Sequence, residues 1–496
     1  MANKDYKVSL YNVLLDSDSE KYRKFLWNTS TGTVIGLTED GLSAYNEFCG
    51  RTRNAFSIVR EDIGEKMIGY FDTLLSNGFI VDMDLNEFEM IKLKKYMYLN
   101  DPNPDAIKLT IATTLLCNYN CKYCFEKNAI HNAKHVHMTE QVADAIFEYV
   151  KVRYANNPNI KKLKVTWFGG EPMLSTNIIR YLSTKLIGFC DDKGISYTAG
   201  MISNGRRLLS FDDDKVKSFF DDCRIGSVQV SIDGPHGYYE EVKGATSEDL
   251  DIVLESVTKL AKNTIGLKKR VRVTVRINLP TPVSPSPRLV TVAWRDDAIL
   301  QARILTAVLM EDFGLDGLIR VYLGFTRVPF GDQEEMHRQF LQLDNKFMDW
   351  FIENGFNPKS LVINNYDPAI AGCGNVALGN LTISPDGSIT QCEHYVGDSD
   401  NVSGNIMNIY NEGNTGMIYT RNTERYINAV NILEHGMTNQ EMGHCEMCPI
   451  YPICHGGCPD DILKYGNIIA CDQYTKNIYK RKQFVLQLKH GGDAHG

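Results

Sequence analysis

Cysteine is the residue type through which this sequence is best equipped to do chemistry. The chain has 496 residues, and 13 of them are cysteine. An odd number does not close into a disulfide framework, and a reducing cytosol does not sustain one. Spacing says more. Cys117, Cys121 and Cys124 form a C-x3-C-x2-C array, with Tyr123 just before its last member. Thiolates are soft ligands that suit zinc or iron–sulfur clusters. Three of them, with no fourth cysteine nearby, fill three corners of a tetrahedral set and leave one position for a substrate or cofactor. A zinc site would need a distant fourth ligand, such as His131, His135 or His137, and the x3/x2 spacing is not a usual zinc pairing.

A second set lies towards the C-terminus. Cys373 is followed by Gly387 and Cys392, and then come Cys445, Cys448, Cys454, Cys458 and Cys471. That stretch is rich in Gly, Pro and Asn and poor in apolar runs, so bonds to metal are expected to replace a hydrophobic core there. Cys49, Cys190 and Cys223 stand apart and read as small buried hydrophobes.

The elements that position these residues follow from periodicity. Strands are expected at Ile107–Leu116, Leu163–Phe168, Tyr197–Ile202, Ser227–Ile232, Arg270–Ile277 and Leu318–Leu323. Helices are expected between them at Thr139–Tyr154, Thr176–Phe189, Asp212–Phe220, Glu248–Ala261 and Ala298–Phe313. Alternation of this kind predicts a parallel sheet, open or closed into a partial barrel, with functional residues at the C-terminal strand ends. The first hundred residues form a separate α+β unit. Its strands are expected at Lys7–Leu15, Lys24–Asn28, Thr33–Thr38 and from Phe79, and its helices at Glu39–Phe48, Ile63–Leu75 and 82–95. Four prolines near 280–287 mark an extended insertion across 280–296.

The triad, with an aromatic before its last cysteine, closely resembles the radical S-adenosylmethionine (SAM) family. The resemblance extends along the strands: Trp167-Phe-Gly-Gly-Glu-Pro after the second, Ser203-Asn-Gly after the third, Ser231-Ile-Asp-Gly-Pro after the fourth and Val275-Arg-Ile-Asn after the fifth. It implies a [4Fe–4S] cluster on Cys117, Cys121 and Cys124, with SAM on its open iron and cleaved to a 5′-deoxyadenosyl radical. It implies further SAM contacts at Tyr123, Gly169, Gly170, Glu171, Ser231 and Arg276. One departure is Lys243, which stands where relatives often carry arginine; lysine keeps the charge without the bidentate fork.

The C-terminal cysteines resemble the SPASM domain, which carries auxiliary iron–sulfur clusters. Carried over, that pattern gives one cluster Cys445, Cys448, Cys454 and Cys471, and the other Cys373, Cys392 and Cys458. The eighth ligand is then Asp367, a substrate thiolate or nothing. Three [4Fe–4S] clusters are expected in all.

The N-terminal unit resembles the PqqD-like element by which ribosomal peptide maturases bind a leader peptide along a sheet edge. A generic winged-helix-like cap is the alternative.

The expected architecture is therefore a partial (β/α)6 TIM-like barrel over 101–355. A winged-helix-like domain precedes it at 1–100, a Cys-rich iron–sulfur domain follows at 356–480, and a tail closes the chain at 481–496. The expected function is a radical SAM oxidoreductase that crosslinks a ribosomally made precursor peptide, through a cysteine thioether of the sactipeptide or ranthipeptide type. Alternatives are a carbon–carbon crosslinking or epimerising maturase, an anaerobic sulfatase maturase, or a catalytically dead peptide-binding protein. The expected partners are the precursor and an electron donor such as flavodoxin or ferredoxin.

Composition agrees with a globular chain: 43% hydrophobic and 23% charged. A net charge of −8 does not favour nucleic acid as a partner. No apolar run reaches the ~18 residues of a membrane span. The first residues lack the apolar core of a signal peptide, which predicts a cytoplasmic location.

Overall fold

The computed structural model describes residues 4–55, 57–99, 101, 104–126, 136–208, 212–279, 292–326, 333–363, 368, 373, 377, 380–412, 445–461 and 471–490. The chain divides into two compact units. One comprises Met1–Asn100, Ile363–Gly374 and Ala429–Gly496; the other comprises Asp101–Val362 and Asn375–Asn428. The cysteine-rich stretch expected as one domain is thus shared between both.

In the first unit, β1 (Asp5–Val8), β2 (Asn12–Asp16), β3 (Lys24–Asn28) and β4 (Val34–Leu37) precede α1 (Glu39–Ala55). Then come β5 (Ile58–Val59), α2 (Glu65–Ser76), β6 (Ile80–Asp82) and α3 (Glu87–Leu99). Two antiparallel sheets result, ordered β5-β1-β6 and β2-β3-β4. The single strand expected over Lys7–Leu15 is broken because Glu87 captures its middle. Ser9 Oγ donates to Glu87 Oε1 at 2.6 Å, and the Leu10 amide donates to Oε2 at 3.0 Å.

Strand β3 is covered on both faces, which explains its near-continuous apolar run. Leu26 packs with Phe48, Phe71 and Phe79. Phe25 and Trp27 pack instead with Ile450, Ile478 and Leu486. The last two belong to the closing helix Cys471–His490. The tail expected from residue 481 is therefore, as far as His490, the second half of this helix. Phe484, Val485 and Leu486 are buried, and the Lys482 ammonium lies 4.8 Å from the Trp27 ring centroid.

In the second unit six parallel strands lie side by side in chain order: β7 (Ala106–Ala112), β8 (Lys162–Phe168), β9 (Ser196–Ser203), β10 (Ile225–Ser231), β11 (Arg272–Leu279) and β12 (Arg320–Phe325). Crossover helices link them: α4 (Glu140–Asn156), α5 (Thr176–Lys193), α6 (Asp213–Asp222), α7 (Tyr238–Lys243), α8 (Ser247–Lys262) and α9 (Val292–Ala307), with α10 (Gln333–Glu353) after β12. Beyond β7 the sheet continues through β13 (Asn380–Ile383), parallel to β7, and then antiparallel β14 (Ser388–Thr390) and β15 (Gly404–Asn405).

Alternation along the strands separates two faces. Ile107, Leu109 and Ile111 of β7, Val228 and Val230 of β10, and Val273 and Val275 of β11 are buried; Thr110, Gln229, Ser231, Thr274 and Arg276 occupy the half-buried opposite face. Helix starts are capped as the sequence suggests. Thr139 accepts from the Val142 amide, Asp212 from that of Lys215, and Thr246 with Asp249 forms a capping box.

Helix α9 begins six residues earlier than expected. No proline lies between position 287 and the end of the helix at Ala307, so nothing prevents helix from Val292 onward. Its end widens to π geometry, with the Phe313 amide donating to Val308 O. The extended insertion expected over 280–296 is therefore helical from 292, and residues 280–291 lie outside the described ones.

Candidate active site

The C-terminal ends of β7 to β11 bring the candidate residues together. Past β7 the backbone turns through Thr114 to Leu116 and presents Cys117, Cys121 and Cys124, all half-buried and none in a disulfide. The Tyr119 amide and the Asn204 side-chain amide donate to Cys117 Sγ at 3.4 and 3.6 Å. The loop is gripped by main-chain bonds to the end of α7, Asn120 N to Lys243 O at 3.1 Å and Lys122 N to Val242 O at 3.0 Å. Burial pushes the Cys117 thiol up to about 12, and the charges of Glu171 and Cys121 act in the same direction. Such a thiol releases its proton when a cluster binds it. Three thiols on one loop, one of them already taking N–H···S bonds, suit an iron–sulfur cluster. His137, considered above as a zinc ligand, is held by Thr114 Oγ1 at 3.1 Å, and His131 and His135 lie outside the described residues.

Gly169 and Gly170, the glycines expected at SAM, approach the backbone of the cysteine loop closely. A Cβ on Gly169 would lie 2.2 Å from Thr114 O, and one on Gly170 2.4 Å from Leu116 O. Gly169 also has φ +115°, which side-chain-bearing residues rarely adopt. This close approach lets Gly170 N and Glu171 N donate to Thr114 O and Leu116 O, both at 2.9 Å, stapling the loop after β8 to the cysteine loop.

Glu171, expected to receive the SAM amino group, is fully buried and turned inward. Its Oε1 accepts from the Met173 amide (3.0 Å) and Ser203 Oγ (2.9 Å); its Oε2 accepts from the Asn204 amide (2.8 Å) and Ser203 Oγ (3.1 Å). Three donors thus hold the carboxylate, with the single Ser203 hydroxyl set between its two oxygens. Burial still raises its pKa above the ordinary carboxylate value.

Ser231 and Arg276 are register partners at the ends of β10 and β11. Arg276 Nε donates to Asn278 Oδ1 at 2.8 Å, and its side chain lies where a Cβ on Gly324 would collide with it. Lys243, expected at the SAM carboxylate, is 2% exposed and paired with Asp233 at 3.1 Å. It also donates to Tyr123 Oη at 2.8 Å. Burial alone would lower its pKa, but Asp233 and Tyr123 outweigh this and hold it well above the usual lysine value. Tyr123 Oη donates to Asp233 Oδ2 at 2.6 Å and accepts from Asn278 Nδ2 at 2.9 Å. Asp233, Asn278, Ser203 and Asn204 were thus missed as site residues. Each sits within three residues of a strand end, in the segments read as Ser203-Asn-Gly, Ser231-Ile-Asp-Gly and Val275-Arg-Ile-Asn.

Of the C-terminal cysteines, Cys445, Cys448, Cys454 and Cys471 share the first unit. Burial pushes the Cys445 thiol up to about 11 and the Cys454 thiol up to about 12, and neighbouring cysteines of the set add to both shifts. Cys373, Cys392 and Cys458 are half-buried, and Asp367 lies outside the described residues. Among the described residues no group of three or more His, Cys, Asp or Glu side chains closes to metal-binding distance. No helix of the described residues is long and apolar enough to cross a membrane.

Known proteins match this geometry. A family model described as a 4Fe–4S single cluster domain matches residues 112–243, the segment from the end of β7 to Lys243. A radical SAM cyclopropyl synthase, TigE, of Paramaledivibacter caminithermalis is 23% identical over 95% of this chain and 90% of its own length. A solved structure of native anSMEcpe with bound AdoMet (SAM) covers 78% of this chain and all of its own, with 16% identity and a TM-score of 0.53. The same protein with bound AdoMet and Cp18Cys peptide covers the same shares at 15% identity and a TM-score of 0.51. The chain has the radical SAM fold. Fold and cysteine motif together are those of an enzyme of the radical SAM class.

Proposed function

We propose that this chain is a radical SAM maturase of a ribosomally made peptide. The observation that carries this reading is the thiol triad past β7, stapled by Gly169–Glu171 and reached by the Asn204 amide. Cys117, Cys121 and Cys124 would hold a [4Fe–4S] cluster, which with SAM supplies a 5′-deoxyadenosyl radical. Ser231 and Arg276, side by side on the half-buried face, offer a hydroxyl and a guanidinium to the carboxylate of SAM or of the peptide. Cys445, Cys448, Cys454 and Cys471 would hold one auxiliary cluster, and Cys373, Cys392 and Cys458 another.

The net change fits these parts. Closing one new bond removes two hydrogens from the peptide: the SAM-derived radical would take one, and a cluster held by the C-terminal cysteines would accept the electron left when the second departs as a proton. A peptide substrate is supported by the peptide-bound relative. A carbon–carbon ring closure stands beside the thioether, because TigE is named a cyclopropyl synthase. In the N-terminal unit, sheet β2-β3-β4 has two edge strands, β2 and β4, either of which can take a leader peptide as an added strand. Flavodoxin or ferredoxin would supply the starting electron.

The test is anaerobic incubation of reconstituted enzyme with reductant, SAM and the precursor encoded beside it. A loss of about 2 Da per event is expected, because bond closure removes two hydrogens. Alkylation of the product with iodoacetamide then separates the linkages: a thioether protects one cysteine, and a carbon–carbon closure leaves all thiols reactive. SAM cleavage with an unchanged peptide mass would overturn the crosslinking reading.

A further inference from the structure

The end of α7 and the ends of β10 and β11 converge on one hydroxyl, that of Tyr123. It donates to Asp233 at 2.6 Å and accepts from Lys243 at 2.8 Å and from Asn278 at 2.9 Å. Asp233 is fully buried and is itself held by Asn278, whose backbone amide (3.1 Å) and side-chain amide (3.0 Å) both donate to Oδ1. Lys243 is almost fully buried, and its ammonium is engaged by Asp233 and Tyr123. A charge pair sealed in this way holds its geometry strongly, because removing either partner strands the other in the interior. The same helix end holds the cysteine loop by main-chain bonds from Asn120 and Lys122. Tyr123 lies between Cys121 and Cys124, whose amide closes a turn onto Cys121 O at 3.2 Å.

We infer that Lys243, Asp233 and Asn278 form a positioning unit. Through the Tyr123 hydroxyl it fixes the Cys121–Cys124 turn in the shape that retains a cluster. Lys243 is a strut within this unit and not a ligand of the SAM carboxylate. The inference rests on the proposed cluster at the triad.

The test uses full-length reconstituted protein with the variants Tyr123→Phe, Lys243→Met and the double variant. Tyr123→Phe leaves the Lys243–Asp233 pair intact and so separates loss of the strut from loss of folding. Three quantities are read: the rate of iron release to a chelator, the SAM-induced change in the EPR spectrum of the dithionite-reduced protein, and SAM affinity by equilibrium binding. Both single variants should release one cluster's iron about tenfold faster, as loss of a supporting contact around a metal site typically does. The double variant should be no faster than Lys243→Met. Protein that keeps the cluster should bind SAM as the wild type does.

Iron release at the wild-type rate with SAM affinity lost in Lys243→Met would make Lys243 a SAM contact and overturn the inference. Additive effects of the two substitutions would overturn it as well. A wild-type protein with no SAM-responsive EPR signal would overturn the proposed function, and this inference with it. Wild-type response with unaltered variants would overturn the inference alone.

Discussion

At Glu171, two backbone amides and one hydroxyl converge on a single buried carboxylate. The two amides approach opposite oxygens, Met173 at Oε1 and Asn204 at Oε2. In Glu171→Gln, either orientation of the side-chain amide sets its NH2 against one of these N–H groups. A loss of about 1–3 kcal/mol is expected, the cost of leaving a buried donor unpaired, measured by chemical unfolding of the apoprotein. Gly170→Ala puts a methyl against Leu116 O, and backbone cannot step aside as a side chain can. About 1–3 kcal/mol is expected to be lost here too, together with slower iron uptake at the triad, read from absorbance during reconstitution. The sequence pointed to both residues through their motif but did not show the protein groups that hold them. Ser203 and Asn204 lie 32 and 33 positions along the chain from Glu171, a distance that pattern and spacing do not bridge. Lys243 was likewise located, while its commitment to Asp233 became visible only once α7 folded back beneath the cysteine loop.

Among the elements, α7 is the shortest of the crossover helices and carries a charged group at each end. At its start His236 lies between Glu240 and Asp251, each 3.1 Å away, and the bond to Glu240 chiefly raises its pKa above 6.5. A raised value means that the protonated ring is favoured in the folded state. Its stabilising contribution is therefore full below pH 6.5 and fades as pH rises through the raised value. The ring is about half exposed, so the effect is small. The thermal midpoint of the wild type should fall towards that of His236→Gln as pH is raised above 6.5, and a constant gap across that range would contradict this. The six parallel strands and the five longer helices between them were legible because strand and helix periods differ so clearly, whereas α7, α10 and β13 were not among the expected elements. Boundaries were less so. The strand expected over Lys7–Leu15 divided in two because Glu87, some eighty residues on, takes its middle. Helix α9 started early because the last proline before it is Pro287.

On the scale of the molecule, the first unit is built from both ends of the chain. Its Trp27 face is closed by Ile478 and Leu486 of the last helix. Leu486→Ala should cost about 2–5 kcal/mol, the range for a buried leucine truncated in a packed core. Truncation after residue 470 should red-shift the Trp27 emission and leave the 106–325 sheet folded, as checked by limited proteolysis. This closure was not readable from sequence, because the polar run Lys480-Arg-Lys-Gln interrupts the apolar residues of the segment, and the surface that buries it lies more than four hundred residues away.

The added strand β13 carries a consequence for biosynthesis. It pairs with β7, yet Ala112 and Asn380 are separated by some 268 residues. At 5–20 residues per second a ribosome needs roughly 15–50 s to cover that distance. Throughout that interval the open edge of β7 is a site for wrong pairing with another chain. The same interval leaves Phe125, next to Cys124, without its ring partner His394, which follows β14 and lies 4.9 Å from it. The nascent chain thus has a period in which its newly made sheet is open to association with other chains, and arrival of β13 ends it.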